Sequence, residues 1–358
     1  MGASRREFIG LAGAAAVGSA IRVRGQATTP RRVPVIDGLG EIHLDYGPDL
    51  LDAIRSTGMR GCVVTVGNPA LQGATAFDDM LAEITAYDRH IAANTGRLSR
   101  ATTAADIGAS DALALVYYTQ NATPLGDDLA RVDALKQLGV RIIQLTYNTR
   151  NLLGDGCLER TDSGLSHFGV AVVERMNELR MLVDASHCGH ATTDDAIRVS
   201  RHPVAITHSA CASVFEHPRC KRDSTLRALA DKGGVVGIFQ INPYLGPKER
   251  NTLDDFLAHV DHAVRVAGIE AVGIGSDREH RTIPDTEDEK QKLIAELSRL
   301  RPVTASNFRW PFFISELNHP RRMQTIADAL ARRGRTSSEI DKILGGNFLR
   351  LFRDVWGG

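Results

Sequence analysis

The sequence predicts an α/β chain whose eight parallel strands close into a barrel, each strand followed by a helix. Three observations carry this. Short apolar runs rich in Val and Ile recur eight times, longer stretches with apolar residues every three or four positions separate them, and chemically capable side chains stand at the ends of most of the runs. Continuous apolar strands imply a parallel sheet covered on both faces. A doubly wound open sheet is the alternative. The barrel is preferred because Gln120, Tyr147, His187, His208 and Asp277 then meet at one mouth, where barrels assemble their active sites.

The strand candidates are Val33–Asp37, Gly61–Val66, Ala112–Tyr118, Arg141–Tyr147, Met181–His187, Pro203–His208, Val235–Phe239 and Ala271–Asp277. Helical spacing covers Asp49–Thr57, Phe77–Ala93, Asp127–Leu138, Phe168–Leu179, Ser224–Lys232 and Leu253–Ala267. Thr252 before Leu253 and Asp223 before Ser224 read as caps. The remaining tail predicts helices over Met323–Arg332 and Ser338–Phe352, packed outside the barrel. Residues 31–358 therefore read as one domain, without a linker or internal repeat.

A chain of 358 residues with 43% hydrophobic content can bury a large core, which excludes disordered and fibrous classes. Lys plus Arg equals Asp plus Glu at 43 each, so nothing in the net charge calls for nucleic acid or an anionic membrane. A small-molecule substrate is expected. The five cysteines, Cys62, Cys157, Cys188, Cys211 and Cys220, lack paired spacing and read as inert thiols, neither a disulfide framework nor a thiolate zinc site.

Residues 1–30 have the pattern of a targeting segment. Arg5 and Arg6 precede Phe8 and a weakly apolar run from Leu11 to Ile21, the order found in twin-arginine (Tat) export signals. The run is too short and too weakly apolar to span a membrane. Export to the periplasm is the expectation.

Two strand candidates, Met181–His187 and Pro203–His208, each end in an imidazole, and neighbouring strands would present both at the same mouth, as a divalent metal requires. Val272–Asp277 ends in a carboxylate that can bind a metal or take a proton from water. Arg219, in the loop after His208, can clamp a substrate carboxylate through two parallel hydrogen bonds.

The run VDASHCGHATTDDAIRVSRHPVAITHSACASVFEHPRCKRDSTLRALADKGGVVGI resembles the central part of the membrane (renal) dipeptidase family. So do LTYNTRNLLGDGC, GLSHFGVAVVERMNELRMLVD and AVGIGSD, and the likeness runs from about Val35 to the closing ILGGNFLRLFRDVW. The resemblance implies a (β/α)8 TIM barrel of amidohydrolase type, Zn2+, a dipeptide or N-acyl amino acid as substrate, and homodimers. It implies that His187 and His208 bind one zinc, that Asp277 is the catalytic carboxylate and a metal ligand, and that Arg219 holds the substrate carboxylate. Family members usually end the first strand with Asp-Gly-His-x-Asp, whereas this chain reads Asp37, Gly38, Leu39, Gly40, Glu41. The carboxylate that bridges two metals in the family is Gln120 here, and a substrate-facing histidine is Tyr147. His43 and Asp45 repeat His-x-Asp four residues late, displaced from the strand end. Two functions follow: a hydrolase with one divalent ion per chain, in which Tyr147 and Gln120 also meet the substrate, or a metal-poor barrel that binds a small carboxylated ligand or catalyses a non-hydrolytic reaction.

Overall fold

The computed structural model describes residues 33–300 and 308–357, with the backbone alone at 299 and 300. The targeting segment lies outside these residues. Strands β1 (Val35–Asp37), β2 (Met59–Thr65), β3 (Leu98–Arg100), β4 (Leu113–Thr119), β5 (Val140–Gln144), β6 (Leu182–Asp184), β7 (Ala205–Ser209), β8 (Val235–Ile238) and β9 (Val272–Ile274) form one sheet, ordered β1-β2-β4-β5-β6-β7-β8-β9. Every pairing is parallel. The end strands are stitched just beyond their termini: Gly38 N–H donates to Ile274 O at 2.8 Å, Asp277 N–H to Leu39 O at 2.9 Å and Glu41 N–H to Arg278 O at 3.1 Å. The result is a nearly closed eight-stranded barrel. β3, which pairs with the start of β4, was not expected, because Leu-Ser-Arg offers a single apolar side chain.

Helices α1 (Pro48–Ser56), α2 (Gly73–Ala93), α3 (Ala130–Gln137), α4 (His167–Glu178), α5 (His190–Val199), α6 (Asp223–Asp231), α7 (Leu253–Ala267) and α8 (Glu287–Leu300) follow the strands, and α9 (Arg322–Arg332), α10 (Ser337–Asp341) and α11 (Asn347–Trp356) complete the fold. α7 begins as expected: Thr252 Oγ1 accepts from Asp255 N–H while Asp255 accepts from Thr252 N–H at 2.8 Å, a reciprocal capping box. Asp223 does not cap α6. It is the first helical residue, and its carboxylate is taken by Ser213 Oγ at 3.0 Å and His262 Nε2 at 2.7 Å. The sequence reading also omitted α5 and α8. In α5 the Thr and Asp residues are weak helix formers, and in α8 charged residues dilute the apolar stripe.

The single tail helix expected over Ser338–Phe352 is broken at 342–346, where Gly345 leaves helical geometry. A side chain there would stand 2.1 Å from Pro34 O, so only glycine lets the tail reach β1. α11 then does more than pack outside. Phe348 and Phe352 join Ile36, Val63, Val116, Ile142, Leu182, Ala205 and Val235 in one buried cluster. The Phe348 ring fills the space that a Cβ at Gly38 or Gly273 would need, at 2.2 and 2.6 Å. Each such phenylalanine contributes about 1.5–3 kcal/mol through burial. α11 thereby seals the end of the barrel away from the mouth and leaves the other end to build a site.

Candidate active site

At the C-terminal ends of the strands lies a cleft of about 770 Å3, open mouth included. Gln120, Tyr147, His187, Arg219 and Asp277 all line it, and His208 sits beneath its floor, fully buried. The structure therefore gathers all six residues singled out in the sequence. Most stand a few positions past the last ladder rung: β6 ends at Asp184 and β9 at Ile274, where the chain leaves the sheet to turn into the loops.

The two imidazoles are held alike. His187 Nδ1 lies 2.8 Å from Asn148 Oδ1, which can only accept, so Nδ1 carries the hydrogen. His208 Nδ1 lies 2.9 Å from Thr207 Oγ1. The ring centroids are 4.9 Å apart, and Tyr147 stacks on His187 at 4.2 Å. His208 Nε2 faces Gln120 Nε2 at 3.3 Å and Asp277 Oδ2 at 4.0 Å. Burial, with the charges of Arg219 and Lys221 added, holds His208 well below the usual histidine range, so its ring is neutral. Burial likewise raises the Asp277 carboxyl to about 7 against the opposing pull of Arg219, with Glu41, Asp37 and Asp184 adding to the rise.

Arg219 is 2% exposed. Its NH1 donates to Ser186 O at 2.5 Å and its NH2 to His208 O at 3.2 Å, and its guanidinium stands 5.6 Å from the centre of the Phe239 ring. Among the described residues it forms no ion pair with a carboxylate. A buried, permanently charged group on the wall of a cleft is an anion-binding element.

The first-strand end departs from a metal-binding pattern. Leu39 is 1% exposed and offers no donor. Glu41 does reach the cleft, next to Glu279 of the β9 end, with which it forms a parallel bridge. His43 Nε2 pairs with Glu41 Oε2 at 3.1 Å and with Glu279 Oε2 at 3.8 Å. The acidic neighbours Glu41, Glu279 and Glu296 outweigh burial and raise His43 to about 9. Asp45 is exposed. Among the described residues no three His, Cys, Asp or Glu side chains are arranged to hold a metal ion. By donor type His187 and His208 suit one divalent ion, with Asp277 nearby; the Leu39, Glu41 and Gln120 side lacks the imidazole and the bridging carboxylate that a second would need.

Sequence reasoning missed several wall residues. Asn148, which fixes the His187 ring, has φ +57°, and an Asn directly after a strand-end Tyr was the available signal for a left-handed turn. Phe312 and Phe313 enter the cleft from the tail, held by Ile314 N–H donating to Gln240 O at 3.2 Å. No local pattern announces that. The five cysteines are free, and all but Cys157 are buried. Among the described residues no helix is long and apolar enough to cross a membrane.

A nearly closed parallel barrel with two imidazoles, a carboxylate and a guanidinium at its C-terminal mouth defines an amidohydrolase-type fold. An amidohydrolase from Pseudomonas aeruginosa superposes with a TM-score of 0.80 at 30% identity, over 91% of this chain and 97% of that one. A metallo peptidase from Rhodobacter sphaeroides, solved with a phosphinate mimic of the dipeptide L-Ala-D-Ala, shares the fold with a TM-score of 0.73 at 19% identity, over 90% and 99%. Residues 53–308 match the family model of membrane dipeptidase, peptidase family M19, and the chain belongs to that family. An uncharacterized dipeptidase of Schizosaccharomyces pombe is 36% identical over 171 residues, 46% of this chain and 41% of the relative. The matched stretches thus span about two fifths of the first curated relatives, 41% and 37%.

Proposed function

We propose that this chain hydrolyses a small amide bearing a free carboxylate, a dipeptide or N-acyl amino acid, with one divalent ion, Zn2+, held by His187 and His208. The observation that carries this reading is Arg219: a buried guanidinium with two hydrogen bonds to main-chain carbonyls and no carboxylate partner among the described residues, beside Asp277 on the same cleft wall. Family membership supports the reaction class.

Arg219 binds the substrate carboxylate and so fixes which end of the substrate lies deepest. This places the scissile amide over His187 and His208. The bound ion would supply Lewis acidity toward the amide carbonyl and make water more acidic. Asp277, whose Oδ2 stands 4.0 Å from His208 Nε2 in the cleft, takes the proton of the attacking water and returns it to the leaving amine. Tyr147, stacked on His187, lines the cleft and carries a phenol able to donate to the developing oxyanion. Gln120 contributes an amide where a bridging carboxylate would otherwise stand, which supports a single ion. Arg5 and Arg6 support export of the enzyme through the Tat route.

The test is turnover of a library of dipeptides and N-acyl amino acids in the presence of Zn2+, Mn2+ or Co2+. Hydrolysis restricted to compounds with a free carboxylate is expected. Stabilisation by such compounds without turnover would replace the hydrolase by a ligand-binding barrel.

A further inference from the structure

We infer that Asp184, at the end of β6, is a positioning residue that selects which nitrogen of His208 presents a lone pair to the mouth, acting through the hydroxyl of Thr207. Asp184 is fully buried and does not line the cleft. Donors from β4, from β7 and from the residues just past β6 itself converge on its carboxylate. Tyr118 Oη of β4 lies at 2.9 Å, Ser186 Oγ just past β6 at 2.8 Å, and Thr207 of β7 reaches it through its backbone N at 2.7 Å and its Oγ1 at 3.1 Å.

Each hydroxyl has one hydrogen to give. With the Thr207 hydrogen given to Asp184 rather than to Ser186 Oγ, also at 3.1 Å, only a lone pair of Thr207 Oγ1 remains for His208 Nδ1 at 2.9 Å, and that contact is favourable only if Nδ1 carries the ring hydrogen. Ser186 repeats the pattern, donating to Asp184 and accepting from the backbone N–H of His208 at 3.1 Å. Ring and backbone of His208 are thus both referred to one carboxylate. The hydrogen-bearing amide nitrogen of Gln120, 3.3 Å from Nε2, agrees with a lone pair there.

Without the carboxylate, Thr207 would donate to Nδ1 instead and the ring hydrogen would move to Nε2, which faces Asp277 at 4.0 Å. An imidazole in that form offers the cleft a donor where a cation or a proton needs an acceptor. An apolar residue would fill position 184 as Leu182 and Val183 fill theirs, without the cost of desolvating a carboxylate. The arrangement of donors around Asp184 shows where that cost is returned: in the orientation of a ring. The tautomer belongs to this chain whatever the reaction; its use toward a divalent ion rests on the function proposed above.

The experiment is 15N spectroscopy of the full chain labelled with [15N]histidine and dialysed against chelator, with the His208 signals assigned by their loss in His208→Gln. The wild type should carry hydrogen on Nδ1. Thr207→Val should move it to Nε2, Thr207→Ser should keep it on Nδ1, and Asp184→Asn, whose amide donates to Thr207, should move it as well. Titration with Co2+ should show Thr207→Val weakening the affinity by about 10- to 100-fold, with Thr207→Ser restoring it. A wild-type ring with hydrogen on Nε2, or a Thr207→Val ring unchanged from wild type, overturns the inference. Should Asp184→Asn fail to fold, the Thr207 pair still decides it. If the wild type takes up no Co2+, the metal reading fails while the ring spectra continue to judge the relay.

Discussion

Asp277 Oδ2 stands 4.0 Å from His208 Nε2, and Asp277 reaches that point with φ +52°, in the left-handed region. Its N–H is anchored on Leu39 O at 2.9 Å, so β1 and β9 jointly aim the carboxylate. Asparagine tolerates this backbone. Asp277→Asn should therefore keep its melting temperature while kcat falls by about 10²- to 10⁴-fold, the usual worth of a general base. A kcat within threefold of wild type would assign the proton transfer elsewhere.

Arg219 should fail differently. Arg219→Ala removes a charge-assisted contact worth roughly 1.5–3 kcal/mol. KM is then expected to rise about tenfold to a hundredfold, with a smaller change in kcat if the contact is equal in ground and transition states. Arg219→Lys should recover little, because a single ammonium cannot hold both main-chain carbonyls and a carboxylate in one plane. Equal losses for substrates with and without a free carboxylate would argue against the assignment.

Untagged protein should carry about one divalent ion per chain. His187→Ala should remove both the ion and turnover. Two tightly held ions by elemental analysis would mean that Glu41, Glu279 or another group rebuilds the missing side.

Stability should depend on His259, remote from the cleft. Its Nδ1 accepts from Cys211 N–H at 3.1 Å and its Nε2 donates to Leu245 O at 3.1 Å, so the fold holds it neutral, and burial lowers its pKa to about 4 despite the Leu245 bond. The unfolded chain, with a value near 6.5, binds this proton first. The neutral ring's contribution, on the order of 3 kcal/mol, is therefore complete above about pH 6.5 and is lost as pH falls toward 4. Urea midpoints for wild type and His259→Gln, which can keep both hydrogen bonds, should converge between pH 7 and pH 4.5. Parallel curves would remove the assignment.

Export should require both Arg5 and Arg6. The double replacement by lysine is expected to leave the protein in the cytoplasm, and unchanged periplasmic delivery would exclude the Tat route.

Most of the residues that bear chemistry were legible because each stands at the end of a continuous apolar run, a pattern that survives in one dimension: Val204 to His208 and Val272 to Asp277 are examples. What was not legible is what reaches the site from far away in sequence. Phe312 and Phe313 come from a tail with no regular period, and Asn148 depends on a single left-handed residue. Asp184 lies inside the strand candidate Met181–His187, yet its part shows only when Thr207 and Tyr118 are seen to share its oxygens. The plug made by α11 was hidden for a related reason. The helix period gives one apolar face, but not that the face would enter a barrel.

That plug has a bearing on how the chain reaches its native state. Phe348 rests against Gly38 of the first strand's exit and against Gly273 of the last, so a contact spanning about 300 residues completes the core. Until α11 is present, the cluster of Ile36, Val63, Val116, Ile142, Leu182, Ala205 and Val235 lacks Phe348 and Phe352. A nascent or truncated chain lacking α11 therefore leaves that apolar cluster uncovered and open to holdase binding and proteolysis, even though every residue of the catalytic mouth has already been synthesised.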